Sequence, residues 1–292
     1  MFIDPDFPVG NAAGGCKTLE EVRQLARSAA SFIVVGSFTV EPRSGNPGNT
    51  FNGDPVYGLN SRGLPNPGVE WLKKEGPKMV AIAHAAGKPI ILSVAGFNPS
   101  EYELLVLAAV VIGFDGVELN FGCSNIVDGG TRHRIITYDV AMVRAILLQI
   151  YMNHRIVPEF VSVKVSPILD LEYAHVLADV FRRFPITALV TMNAIPNCLD
   201  FGADGLPVIQ TPDKTGYAGG SGTQVRQMAL GQAHMWRSVL PEKEKWGVGG
   251  MGTGPDVKKM LRVASVVQIG TAYLIYGPKI FGGIAAEYLD VE

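Results

Sequence analysis

Lys164 interrupts the apolar run Val161-Ser162-Val163-Lys164-Val165-Ser166. A lysine is rarely buried without a partner. Strand alternation puts it on one side with Ser162 and Ser166. If that side faces a barrel interior, its ammonium can meet an anionic or electron-rich ring near the mouth. The alternative is a lysine that snorkels at a strand end. Cys123 follows another apolar run, in Glu118-Leu119-Asn120-Phe121-Gly122-Cys123-Ser124-Asn125. A tuned thiol there can act as base or nucleophile. A small buried hydrophobe is the alternative, and position alone does not choose among Cys16, Cys123 and Cys198.

Amides form a third group. Asn60, Asn120, Asn125 and Asn193 fall at strand ends or in long loops. An amide offers donors and an acceptor together, which suits a heterocycle edge that alternates N–H and C=O. Asparagine also serves turns, but Asn120 and Asn193 end apolar strands where turn chemistry is not obviously needed. Two glycine loops complete the set: Gly247-Val248-Gly249-Gly250-Met251-Gly252-Thr253-Gly254 and Gln268-Ile269-Gly270-Thr271-Ala272. Such loops let backbone N–H groups approach a phosphate; tight turns without a ligand are the alternative. His84, His133, His154, His175 and His234 show no metal-ligand spacing. Neither a zinc-type cluster, a nucleophile elbow nor a Walker loop is present.

The elements that must position these residues alternate along the chain. Strand-like runs occupy residues 8–14, 32–36, 90–96, 116–121, 160–166, 188–193, 246–250 and 266–271. Most are rich in Val and Ile, as strands buried on both faces require. Helical patterns fill residues 19–30, 69–86, 100–112, 139–151, 171–184, 223–240, 255–264 and 278–289. Thr18 and Ser100 read as N-caps, and Pro255 and Pro278 lie near first turns. Eight strict alternations predict a single-domain (β/α)8 TIM barrel. Three strand-to-helix connections are long, residues 37–68, 122–138 and 194–222. Such loops lie on the C-terminal face, where this fold carries its sites, and the two glycine loops fall after the seventh and eighth strands, its usual phosphate cradle.

Composition narrows the function classes. The chain has 292 residues, 25 Lys+Arg against 27 Asp+Glu, and 18% charged residues. A net charge of −2 gives no electrostatic case for nucleic acid. A mean hydropathy of +0.21 suggests a large core. The longest apolar run, residues 104–114, is too short to span a bilayer. The start Met1-Phe2-Ile3-Asp4 lacks the basic region of a signal peptide. Three dispersed cysteines argue against a disulfide framework and for a reducing, cytoplasmic setting.

The motifs Asn11-Ala12-Ala13-Gly14, Pro42-Arg43-Ser44-Gly45-Asn46-Pro47, Asn60-Ser61-Arg62-Gly63-Leu64-Pro65-Asn66, Glu118-Leu119-Asn120 through Asn125, Gly249-Gly250 and Gln268-Ile269-Gly270-Thr271 occur in that order. Over residues 10–287 the chain resembles the class 1 dihydroorotate dehydrogenases, the soluble enzymes with a cysteine base. The resemblance implies an FMN-containing barrel that oxidises dihydroorotate, or a related dihydropyrimidine, to its aromatic partner in pyrimidine biosynthesis. It makes Cys123 the base that removes a ring proton while flavin N5 accepts hydride. Lys164 would stabilise the reduced flavin ring. Asn60, Arg62, Gly63, Leu64, Asn120, Asn125 and Asn193 would hold the substrate. Ala13, Gly14, Ser37, Asn120, Lys164, Met192 and Gly222 would touch the flavin, and Gly249, Gly250, Gly270 and Thr271 its phosphate. A small-molecule substrate and an electron acceptor (fumarate, a quinone or a partner flavoprotein) are implied, and a homodimer is left open. A barrel that keeps the phosphate site without redox chemistry, either a non-catalytic paralogue or a lyase, is the second class of reading.

Several positions depart from the family's pattern. Gly36 stands where the family has a lysine just before the serine matched by Ser37, Ala194 replaces a serine after Asn193, and Gly122-Cys123-Ser124-Asn125 replaces a Ser-Cys-Pro-Asn core. The cysteine loop goes on to Arg132, His133 and Arg134. Arg62 is new to its motif, and the segment before the first strand is short, so the strand pair that closes the barrel bottom is expected to be missing. Arg62 is expected to replace the lost lysine at the substrate carboxylate, by a forked contact. The alternative is that it points to solvent and the substrate has changed.

Overall fold

The computed structural model describes residues 3–54, 56–153 and 157–290; His154 lies outside them. Eight parallel strands form one sheet in the spatial order Val9–Asn11, Val266–Ile269, Glu244–Val248, Ala188–Val190, Phe160–Lys164, Gly116–Asn120, Ile90–Val94, Ile33–Phe38. That is the order of a (β/α)8 barrel, and all eight expected strands are present. Ser37 belongs to the second strand rather than to the loop after it. The described residues before the first strand, 3–8, hold no strand.

The barrel closes between its first and second strands through a side chain. Asn11 is fully buried. Its amide donates to the Val34 carbonyl at 2.7 Å and accepts from the Val34 N–H at 2.9 Å, taking the place of a backbone ladder. Above it, Gly14 N–H donates to the Gly36 carbonyl at 2.6 Å and Gly36 N–H to the Cys16 carbonyl at 2.8 Å.

Helices follow the expected plan, with corrected ends. Thr18 caps Leu19–Ala26 in a full capping box with Glu21. The third helix, Pro99–Ile112, is capped by Asn98 rather than Ser100, because Pro99 presets the first turn and the Asn98 side chain accepts from the Glu101 N–H. The eighth expected helix, Ile280–Leu289, is preceded by the short helix Thr271–Tyr276.

All three long loops contain structure that strand-length patterns miss, and the one after the fourth barrel strand holds a short hairpin, Val127–Asp128 with Thr131–Arg132. Ile195–Cys198, Ala218–Ser221, Gly58–Asn60 and Phe51–Gly53 form a four-stranded sheet in that order. It ties the loop after the second strand to the loop after the sixth, and so fixes Asn60 over the barrel mouth.

The barrel interior is layered. At the bottom Trp246 packs between Phe160 (ring centroids 4.8 Å apart) and Phe32 (5.1 Å). Gly10 and Gly116 make room for this plug: a Cβ on either would lie 2.6 Å from a Phe32 or Phe160 ring carbon. Above it the register aligns Ser93, Glu118 and Ser162 in one layer, with Asn120 and Lys164 in the next.

Candidate active site

The layers above the aromatic plug form one buried hydrogen-bonded chain. Glu118 is fully buried, and a carboxylate can only accept. It accepts from Gln268 Nε2 at 2.8 Å and from Ser93 Oγ at 3.3 Å. Ser93 and Ser37 hydroxyls lie 2.8 Å apart, Asn120 Nδ2 donates to Ser37 Oγ at 2.9 Å, and Asn193 Nδ2 donates to Asn120 Oδ1 at 3.0 Å. With Ser93 committed to Glu118, every donor in this line points down to the carboxylate. Lys164 Nζ completes the network, 3.1 Å from Gln268 Oε1 and 3.5 Å from Glu118 Oε1. Lys164 thus faces the interior, buried and paired, with Ser162 and Ser166 also buried.

Two adjoining cavities open above this network. The larger, about 300 Å³, takes in Met192, Gly222, Gly249, Gly250, Gly270 and Thr271. The smaller, about 100 Å³, takes in Ser37, Gly63, Leu64, Asn120, Cys123 and Asn125. Ala13, Gly14, Asn60, Arg62, Lys164 and Asn193 line both. Every site residue that the resemblance implies therefore lies on these two joined spaces. Cys123 also borders a third cavity of about 160 Å³, with Tyr102 and His133. Cys16 is fully buried and Cys198 lies in the antiparallel sheet, and neither lines these cavities.

The amides are fixed by their neighbours. Asn125 Nδ2 donates to Asn60 Oδ1 at 3.0 Å and to the Asn60 carbonyl at 2.8 Å; Asn60 Nδ2 donates to the Gly219 carbonyl at 3.1 Å. Asn46 ties the Asn125 carbonyl to Ser61 across two loops. The glycine loops are demanded by backbone shape and packing. Gly250 has φ +75°, and a Cβ there would lie 2.8 Å from the Arg226 backbone. At Gly14, Gly252 and Gly270 a Cβ would instead meet open space or a single distant methyl, so a ligand can lie against the chain.

Burial pushes the Cys123 thiol up, and the Asn125 backbone N–H and the charges of Lys17, Arg43 and Arg132 oppose it. Lys17 also lines the smaller cavity, and burial, with Arg62 nearby, brings its pKa down to about 8. Arg62 does not simply point to solvent. It lines both cavities and donates from Nη1 to the Gly14 carbonyl at 2.9 Å.

Sequence reasoning missed Lys17, Glu118, Gln268 and Ser93. Glu118 and Gln268 carried the signal that singled out Lys164, a polar residue in an apolar strand on the inward parity. Lys17 carried none, because a lysine before a helix cap is ordinarily solvated.

The chain matches the model of the family described as Dihydroorotate dehydrogenase over residues 3–291. The chain belongs to the dihydroorotate dehydrogenase family. It is 31% identical over 290 residues to the dihydroorotate dehydrogenase (fumarate) of Trypanosoma cruzi, covering 97% of this chain and 89% of that one. To the dihydroorotate dehydrogenase A (fumarate) of Lactococcus lactis subsp. lactis it is 30% identical over 301 residues, covering 99% and 92%. A crystal structure of DHODH from Eimeria tenella in complex with ferulenol superimposes with a TM-score of 0.80 at 19% identity, covering 98% of this chain and 84% of that one, which supports the fold. In this member of the family Gly36 cannot carry a side chain: its φ is +118°, and a Cβ would lie 2.4 Å from the Ser93 carbonyl oxygen.

Proposed function

We propose that this protein is an FMN-dependent dihydroorotate dehydrogenase that oxidises dihydroorotate to orotate in pyrimidine biosynthesis, and that it works in the cytoplasm. The observation that carries this reading is the pair of joined cavities, with the one candidate thiol on the smaller and the glycine loops on the larger.

The residues present fit FMN. Gly249, Gly250, Gly270 and Thr271 would hold its phosphate through backbone N–H groups and a hydroxyl. Gly14 and Ala13 leave a flat approach for its ring. Lys164 would meet the pyrimidine edge of that ring. The flavin, when bound, supplies the hydride acceptor. A buried cation held by Glu118 and Gln268 favours negative charge at the edge it faces.

The remaining chemistry belongs to the chain. Asn60, Asn120, Asn125 and Asn193 present donors and acceptors to the ring's N–H and C=O groups, and their mutual bonds preset their directions. Arg62 and the backbone of Gly63 and Leu64 take the carboxylate, which needs a partner when it leaves water. Cys123, as thiolate, accepts the proton from the ring carbon. The smaller cavity suits a single six-membered ring with short substituents. The relatives from Trypanosoma cruzi and Lactococcus lactis are named for fumarate, and we assign the same class of acceptor, a small dicarboxylate, to this chain. We treat the chain as one barrel domain.

The visible spectrum of the purified protein tests the cofactor assignment. We expect a yellow protein that releases FMN on heating. A colourless protein that refuses added FMN would instead support the barrel without redox chemistry.

A further inference from the structure

Cations reach the Cys123 thiol from several elements, and they differ in what neutralises them. Arg43, from the loop after the second strand, pairs with Asp128 at 2.7 Å. Arg132, from the hairpin after the fourth, pairs with Asp213 at 3.0 Å. In the cavity behind the thiol, His133 pairs with Asp128 at 2.8 Å and Arg134 with Asp139 at 3.1 Å, beside the neutral phenol of Tyr102. Lys164 has Glu118.

Lys17 and Arg62 have no carboxylate partner among the described residues. Lys17 Nζ donates to the Pro65 carbonyl at 2.6 Å. The nearest acid along its own segment, Glu21, makes no ion pair with it and acts on it only through space: its Oε2 accepts from the backbone N–H groups of Lys17 (2.7 Å) and Thr18 (2.8 Å). Two cations without a directly paired carboxylate therefore share one small cavity with the thiol. The reaction brings two negative charges there, a substrate carboxylate and a thiolate.

We propose that Lys17 is a positioning residue of the active site: its ammonium stabilises the thiolate form of Cys123 that receives the ring proton, against the burial that opposes it, which leaves Arg62 for the substrate carboxylate. This rests on the reading of Cys123 as base. Burial first, and Arg62 second, lower the Lys17 pKa, while the charge at Cys123 raises it, so a thiolate there favours the charged ammonium. With no side chain possible at Gly36, the loop after the first strand supplies a further cation to this site.

Alkylation of the substrate-free holoenzyme by iodoacetamide tests this without turnover. The Cys123 thiolate displaces iodide, an S–C bond forming as the C–I bond breaks. The rate against pH is followed on the Cys123 peptide by mass spectrometry, with the Cys16 and Cys198 peptides as internal references. Lys17→Met should slow Cys123 alkylation at neutral pH about tenfold and move the profile to higher pH, the size of one pKa unit; Lys17→Arg should restore most of the rate. The same profile in Lys17→Met and wild type would overturn the proposal. So would a slowed Lys17→Met that Lys17→Arg does not rescue, which marks a packing role. Neither result bears on whether Cys123→Ala stops flavin reduction, which tests the base assignment separately.

Discussion

Replacing Asn11 with leucine should open the barrel at its seam. The two side chains are similar in volume, so the change isolates the hydrogen bonds. Asn11 gives the Val34 carbonyl a donor at 2.7 Å and the Val34 N–H an acceptor at 2.9 Å. The neighbouring Ile33 N–H points the other way, to the Pro89 carbonyl at 2.9 Å, and the Val34 N–H and carbonyl face the first strand, with which the second forms no backbone ladder. A buried group left unpaired costs about 1–3 kcal/mol. Two such groups, partly offset by burial of the leucine side chain, give a net loss of roughly 2–4 kcal/mol. That is a large share of the ~5–15 kcal/mol that keeps a domain folded. At ~2 °C per kcal/mol for a chain of this size, the unfolding midpoint should fall by about 4–8 °C. Ala12 and Ala13, which follow Asn11 directly, line the larger cavity, so flavin should be released more readily as well. Thermal unfolding by circular dichroism, with flavin fluorescence recorded in parallel, reads both. An unchanged midpoint would show that the seam is held by something other than this amide.

Arg62→Met should weaken orotate binding by about 1.5–3 kcal/mol, roughly ten- to a hundredfold or slightly more, as measured by titration; equal affinities would remove Arg62 from the site. Gly250→Leu should abolish flavin retention, because a Cβ at that positive φ lies 2.8 Å from the Arg226 backbone and the loop must shift; a normal flavin content after purification would place the phosphate elsewhere.

The barrel was legible because its signals are local and repeated: eight apolar runs and eight helical patterns in strict alternation. The candidate site was legible where a residue type clashed with its surroundings, as Lys164 does, or where a motif set matched a known family. The four-stranded cap was not. Its strands are three or four residues long, and it pairs segments some 160 positions apart, as in Gly219 with Asn60. No local pattern encodes that. The seam was missed for a related reason: Asn11 meets Val34 only once the barrel closes. Lys17 was invisible because its charge becomes unusual only when the loops carrying Arg62 and Cys123 fold over it.

The most direct test of the account is the anaerobic reduction of the bound flavin by dihydroorotate in wild type and Cys123→Ala. The account predicts bleaching of the wild-type flavin band, slowed by ~10²–10⁴ in the variant with its flavin content unchanged. It also predicts a wild-type rate that rises with pH, because burial pushes the Cys123 thiol up and only its deprotonated form accepts the proton. Failure of dihydroorotate to bleach the wild-type flavin would contradict the substrate assignment. A normal rate in Cys123→Ala, with the loss appearing in Cys198→Ala instead, would contradict the base.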